Sequence, residues 1–405
     1  MKTLVHYEIK KIWKRKSTGI VFLLMLLSII AINYVFVSEQ GCYGEDCTSL
    51  YGLDAISEKR NIEHALAGPL NPQRLQMTFQ GYIENYVNQE YETSAAYLES
   101  YVKNVQPYRE ILDLIRGVCT PNTYDLSALD ALSSERAGAF YETRQNNVQA
   151  ILDSGSYTAA EKEKILEMDS QISVPFTFDY TKGWETLLTR VFSLLFMLIA
   201  LATCIIISPV FSYEYQVGTD AILLPAKRGR GATVHAKILA GWIMTSIVYV
   251  VTVLIGVGII AATFGVLGWN CDFQILSLNS FYDVQIWQVV LYGIGINYIV
   301  ILSVMTFTML LSSICKTTFT TVIISTLCTV APMFFPASQD AIISHLVALL
   351  PAKAMITYSV FSSYDVYSIG KLVITLPCMI LLVAVVFGML ELQIARRQYC
   401  RHQVV

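Results

Sequence analysis

The chain has 405 residues, 54% of them hydrophobic and only 15% charged, with a formal net charge of −3. Soluble domains carry about 25% charged residues, so the composition excludes an ordinary soluble protein and sets the class as integral membrane protein. No nucleic-acid partner is expected of such a chain.

Residues 1–17 read as a cytoplasmic amphipathic interface helix. Leu4, Val5, Ile9, Ile12 and Trp13 share one side at helical spacing, and Lys10, Lys11 and Lys14 lie opposite. Such a segment lies along a lipid surface with its lysines towards anionic headgroups. The same lysines also serve the positive-inside rule. The apolar run 18–37 is the first predicted span. It exceeds a signal-peptide core and has no small-residue cleavage site behind it, so it is expected to stay in the chain.

Residues 38–183 follow as a large domain with 11 Lys/Arg against 22 Asp/Glu, a net charge of −11. Its pattern predicts helices over 50–67, 72–88, 94–118, 126–152 and 158–168, with Thr158 and Glu161 in capping-box form. Val174 to Tyr180 is β-branched and aromatic and is predicted to be extended. An acidic exterior attracts cations or cationic peptides, or simply keeps the domain soluble. Cys42 and Cys47 are the most plausible disulfide, a small clasp after the first span, with Cys119 and Cys271 a second candidate pair. The Cys42–Cys47 spacing also suits metal ligation, but no histidine or second cysteine pair lies nearby.

Further apolar runs mark spans at 184–211, 238–264, 286–311, 318–335 and 371–392, each near the ~20 residues a bilayer needs. They are separated by a cytoplasmic loop 212–237, an outer loop 265–285, a cytoplasmic turn 312–317 and an outer segment 336–370 containing a short re-entrant or interfacial helix. A cytoplasmic tail, 393–405, closes the chain. Lysine and arginine concentrate in 1–17, 212–237, 312–317 and the tail, so both termini are placed in the cytoplasm. The predicted fold is therefore an all-α polytopic membrane protein with six transmembrane helices, cytoplasmic N and C termini and a mostly helical extracellular domain.

Catalytic motifs are missing. The phosphate loop G-x-x-x-x-G-K-[ST] is absent, and Arg228-Gly229-Arg230-Gly231 has neither its spacing nor a preceding strand. The chain is thus not expected to hydrolyse ATP or to bind a cofactor. Its five histidines (His6, His64, His235, His345, His402) show no ligand spacing, so no metal site is expected. Polar residues inside spans are functional candidates by default. Asn33 and Asn297 are candidates for a translocation path, although interhelical hydrogen bonding explains Asn297 equally well. Arg190, one turn inside its span, suits snorkelling to the headgroups.

The loop 212–237 (SYEYQVGTDAILLPAKRGRGATVHAK) is the most informative stretch. Glu214 closes a span, Gly218-Thr219 follows, and a compact apolar piece ends at Pro225 before Lys227, Arg228, Arg230 and Lys237. A short connection needs neither that apolar piece nor a helix stop unless a soluble partner docks on it. Phe211-Ser212-Tyr213-Glu214, Gly218-Thr219, Leu223-Leu224-Pro225 and Lys237 together resemble the membrane subunit of an ABC type-2 transporter, in the bacterial exporter group with a large insertion between spans 1 and 2. The family pattern places a spacer before the proline that this chain lacks.

That resemblance implies a permease with a separate ABC ATPase, which holds the ATP and magnesium, and a second permease, identical or homologous, completing the path. Tyr215 to Leu224 becomes a coupling helix and Glu214 its hinge, with Gly218, Thr219, Leu223, Leu224, Pro225, Arg228 and Lys237 in the coupling region. The location implied is the bacterial cytoplasmic membrane. The substrate, hydrophobic or a cationic peptide, stays open. So does an alternative role as an antimicrobial-peptide sensing or mechanotransmission subunit that moves no cargo.

Overall fold

The computed structural model describes residues 2–121, 123–223, 231–335, 341–370 and 372–401, the side chains of 223, 341 and 342 excepted. Helix α1 (Lys2–Trp13) breaks at Arg15, whose extended backbone precedes α2 (Lys16–Ser38). Few α2 side chains are buried, and Ile20, Leu23, Leu24, Leu27 and Ile30 are exposed. A helix apolar all round belongs in lipid or inside a larger assembly.

The domain between α2 and the next long helix opens with a hairpin, β1 (Gly41–Tyr43) and β2 (Ser49–Tyr51). Then come α3 (Gly52–Ala65), β3 (Gly68–Pro69), α4 (Pro72–Tyr82) with a π-turn to Val87, α5 (Ser94–Asn104) and α6 (Arg109–Cys119). The series closes with α7 (Ser134–Gly138), α8 (Phe140–Ser154), α9 (Ala159–Ser170) and β4 (Thr177–Phe178). The predicted helix 94–118 is two helices because Pro107 interrupts it with a 3-10 turn. The predicted 126–152 helix is likewise a 3-10 turn, α7 and α8. At 158–168 the helix and its capping box form, Thr158 Oγ1 and Glu161 closing it reciprocally. Strand β4 pairs antiparallel with β3. The domain core gathers Leu75, Phe79, Ile111, Ile115, Phe140 and Phe176.

The Cys42–Cys47 clasp is not formed, and both are free thiols, as are Cys119 and Cys271. The hairpin register sets Cys42 opposite Leu50 and leaves Cys47 in the turn at φ +61°, while Cys42 Sγ donates to Ala55 O at 3.6 Å.

A continuous run from Lys182 to Val210 comprises α10 (Lys182–Thr186), a π-turn, α11 (Phe192–Ile207) and a 3-10 turn at Pro209. After it come α12 (Ser212–Val217), α13 (Asp220–Leu223), α14 (Ala232–Phe264), α15 (Ile286–Ile314) and α16 (Thr318–Val330). Short helices α17 (Ala341–Ala348), α18 (Pro351–Ala354) and α19 (Thr357–Ser362) lead to a second hairpin, β5 (Val366–Ile369) with β6 (Leu372–Thr375), and then α20 (Leu376–Arg401).

Five of these runs are long and apolar enough to cross a membrane: α2, Lys182–Val210, α14, α15 and α20. The expected sixth, 318–335, is a shorter apolar helix, Thr318–Phe334. The last span was expected from 371, but β6 takes 372–375, and α20 begins at Leu376 and carries Arg396 and Arg397 on its final turns. Helix α15 is central, packing along α20 and against α11, α14 and α16. On α16 the usual amphipathic order is inverted. Thr321, Ser325 and Thr329 are buried, while Phe319, Ile323 and Leu327 are exposed. The buried hydroxyls face a polar seam in which Cys204 Sγ lies 3.7 Å from both Thr329 Oγ1 and Thr308 Oγ1. Small polar residues of this kind hold membrane helices together.

The domain is fastened to the loop between α14 and α15. Arg144 is buried, its Nη2 2.6 Å from Asp169 Oδ1 and 2.9 Å from Ser280 O, and its Nε 2.7 Å from Leu278 O. A guanidinium with three acceptors is satisfied where a lone charge would be prohibitive.

Candidate coupling site at the loop end of the bundle

Helix α12 is only six residues long, and its end is set by Gly218. That glycine has φ +73° and nothing within 4 Å of where a Cβ would sit. Its N–H donates to Tyr215 O and the Thr219 N–H to Glu214 O at 3.0 Å, the paired bonds of a Schellman stop. The expected single coupling helix 215–224 is therefore, over its described residues, two pieces, α12 and α13, separated by Gly218 and Thr219. Val217 and Ile222 are 53% and 77% exposed, an apolar pair on the outer surface of this turn. Leu224, Pro225 and Arg228, with the side chain of Leu223, lie outside the described residues.

Glu214 is fully buried, and it stands at the centre of a cluster of charged and polar side chains. Its Oε1 accepts Lys237 Nζ at 2.6 Å and Lys11 Nζ at 2.7 Å, and its Oε2 accepts the Tyr399 hydroxyl at 3.1 Å. Lys237, also fully buried, donates further to Val210 O at 3.0 Å and to Glu8 Oε2 at 3.3 Å. Burial alone would raise the Glu214 carboxyl. Lys237 and Lys11 outweigh it and hold its pKa below the usual carboxylate range. A carboxylate ionised and saturated in this way joins four separate segments: α1, α12, the first turns of α14 and the last turns of α20.

Around this knot the aromatic rings of Phe211 and Tyr215 pack on Tyr399, with centroids 4.9 and 6.2 Å away. Arg15 donates to Pro209 O at 3.1 Å, with its guanidinium over the Tyr213 ring. Ser312, at the end of α15, donates its hydroxyl to Ser208 O at 2.5 Å and accepts the N–H groups of Phe211 and Ser212, each at 3.0 Å. The turn between α11 and α12 is therefore fixed to α15 as well.

Of the expected coupling residues, the structure brings Glu214, Tyr215 and Lys237 into one cluster and gives Gly218 and Thr219 the helix stop. Glu8, Lys11, Tyr399 and Ser312 were not singled out as site residues. Only Glu8 carried a visible signal, as the lone acid in a lysine-rich helix. Its buried position corrects the expected amphipathic face of α1: Val5, Glu8 and Ile12 point inward against α14, while Trp13 is 57% exposed and leans on Phe22.

The two asparagines separate. Asn297 is fully buried. Its Nδ2 donates to Gly293 O at 2.9 Å and Thr357 Oγ1 at 3.0 Å, tying α15 to α19 at a point where a Cβ on Gly293 would strike Thr357. It joins two helices here, as the interhelical reading of the sequence expects. Asn33 donates to Ile29 O at 2.8 Å and borders a groove of about 580 Å³ with Tyr34, Tyr51 and Thr263, at the domain end of α2. Arg190 is ion-paired to Glu39 at 2.7 Å and stands over Phe36.

Five long apolar helices, α15 among them and packed along α20 and against α11 and α14, define a multi-pass membrane protein. Residues 3–338 match the model of the ABC-2 family transporter proteins, and the chain belongs to that family. No curated protein matches the chain, and no solved structure does. Membership makes it the membrane permease of an ABC system in the cytoplasmic membrane and implies an ABC ATPase as partner.

Proposed function

We propose that the chain is the transmembrane subunit of an ATP-driven exporter, coupled to its ATPase through residues 212–237. The observation that carries this is the Glu214 knot. A loop serving only as a connection has no use for a buried carboxylate tied to three other segments. A loop that takes a mechanical input needs such a tie, because a push on the exposed Val217–Ile222 surface then reaches α1, α14 and α20 together. In this reading ATP and magnesium are held by the partner ATPase, and the chain itself has no ATPase site.

The remaining parts follow the same proposal. The helix Thr318–Phe334 spans roughly 25 Å at 1.5 Å per residue, enough with flanking adjustment to serve as a sixth span. Six spans place both basic termini in the cytoplasm and the acidic domain outside. The exposed apolar faces of α2 and α16 suit lipid and a second permease, with the substrate passing between the two copies.

Purification of the intact chain from its native membrane tests the core of the proposal. An ABC ATPase is expected to copurify, and Ile222→Asp is expected to reduce its recovery without unfolding the bundle. If no ATPase accompanies the chain, or Ile222→Asp leaves the complex and its ATP hydrolysis untouched, the docking assignment fails. Movement of cargo into reconstituted vesicles separates export from a sensing role.

A further inference from the structure

The domain between α2 and α10 carries a second constructed site, far from the knot in both position and chemistry. Tyr43, Tyr82, Tyr86, Tyr97 and Tyr101 border one pocket of about 410 Å³ formed by β1, α4, its π-turn and α5. Tyr86 is the centre, its ring 5.8 Å from Tyr82, 5.5 Å from Tyr97 and 6.3 Å from Tyr101. Aromatic rings that served only to fill a core would be buried. Tyr97 is instead 49% exposed, and the cavity beside it is open.

The remaining wall is charged. Asp125 and Asp130 border the same pocket, and Asp130 Oδ1 accepts the Tyr82 hydroxyl at 2.9 Å. Asp125 caps a 3-10 turn by accepting from the Ser127 N–H, and those hydrogen bonds keep its carboxyl below the usual range. Among the described residues, the one cation in the wall is Arg109, engaged through its Nε by Asp113 at 2.8 Å. Two carboxylates against a single neutralised guanidinium leave the pocket negative. The whole domain, at a net charge of −11, adds a field of the same sign.

We propose that this pocket binds an organic ammonium cation, seated against the tyrosine faces with Asp125 and Asp130 as counter-charges. Electron-rich ring faces attract ammonium groups whose charge is spread over methyl or alkyl carbons. Such groups shed water more readily than a bare metal ion, which would instead demand several oxygen ligands at short range. The volume is within the usual range for small-molecule sites. The inference does not depend on what the permease moves or on which ATPase drives it.

The test uses the purified full chain, titrated calorimetrically with choline and with 3,3-dimethylbutan-1-ol, which has the same shape without the charge, at matched ionic strength. Choline is expected to bind about ten-fold more tightly than the alcohol. Asp125→Asn with Asp130→Asn keeps the cap and the Tyr82 acceptor but removes the charge, so it is expected to bring the two affinities together. Tyr97→Ala, at a half-exposed position, is expected to weaken choline several-fold while the thermal transition stays in place. Equal affinity for the two compounds overturns the proposal. So does an absence of saturable choline binding, or choline binding that survives both sets of substitutions.

Discussion

Glu214 and Glu63 are both buried carboxylates, and their surroundings treat them in opposite ways. Glu214 has two lysines within 2.7 Å and stays ionised. Glu63, on α3 of the inter-span domain, has burial and the neighbouring Glu110 against it, and these outweigh Lys182 and Lys59 and push its pKa up to about 8. Burial raises the Glu110 carboxyl as well. One end of the molecule therefore keeps a fixed charge inside the fold, and the other keeps a proton. The first arrangement ties its segments through a carboxylate that its lysines hold ionised at neutral pH. The second is neutral near pH 7 and changes charge only when the pH rises.

The largest expected effect breaks the first of these. Lys237→Met leaves Glu214 and Glu8 with Lys11 alone, and removing one partner of a buried pair costs about 3–5 kcal/mol. That loss should be read in the thermal unfolding of the purified chain. Adding Glu214→Leu to Lys237→Met should recover much of the stability, because Lys11 already lies 3.9 Å from Glu8 and the uncompensated charge is gone. It should not recover ATP hydrolysis linked to transport in the complex. A double variant that restores both would show that the knot is only structural.

Glu63→Gln sharpens the comparison from the other side. A carboxyl whose folded pKa is raised contributes fully below its unfolded pKa, and the contribution is lost as pH climbs through the folded value. The domain should therefore lose stability from the ordinary carboxylate range up to about pH 8, by on the order of 2 kcal/mol after allowance for relaxation. Glu63→Gln should flatten that slope in thermal unfolding at pH 5 and pH 9. An unchanged slope removes Glu63 as its source. Glu214, with its pKa depressed, has the opposite sign: its contribution is present at neutral pH and lost only as pH falls through the acid range.

Tyr399→Phe removes one hydrogen bond to an ionised acceptor and leaves both lysines, which sets its cost at about 1.5 kcal/mol. The ring stays packed on Phe211. A loss as large as that of Lys237→Met would mean that the hydroxyl, and not the lysines, carries the tie.

These residues also show what the sequence makes legible. Glu214, Gly218 and Lys237 were readable because the loop 212–237 breaks the apolar pattern and its spacing resembles a family. The knot itself was not readable, because Glu8, Lys11 and Tyr399 lie about 200 positions from Glu214, or nearly so, and only the packing of α1 and α20 brings them in. The apolar runs located the five long helices well. They failed where a local rule competed: Pro107 split a helix, and β5–β6 took residues that composition alone assigned to a span. The tyrosine pocket was invisible for a related reason. Tyr97 and Tyr101 share α5 at a spacing of four, but Tyr43 lies on β1 and Tyr82 ends α4, so no single helical pattern shows that they meet.

Gly218→Ala is the smallest of the expected effects and isolates the loop from the knot. The added methyl has open space around it, so the cost is confined to the backbone, about 1 kcal/mol for a non-glycine residue at φ +73°. The bonds that oppose it, Gly218 to Tyr215 O and Thr219 to Glu214 O, belong to the turn and not to the core. The expected outcome is faster amide exchange over 214–223, a nearly unchanged thermal transition and a weaker response of the ATPase. The reason is that α13 and the exposed Ile222 are re-aimed while Glu214 keeps its lysines. If exchange quickens in the loop and ATPase stimulation is untouched, then the orientation of α13 does not matter. The input would then enter through α12 and the knot alone.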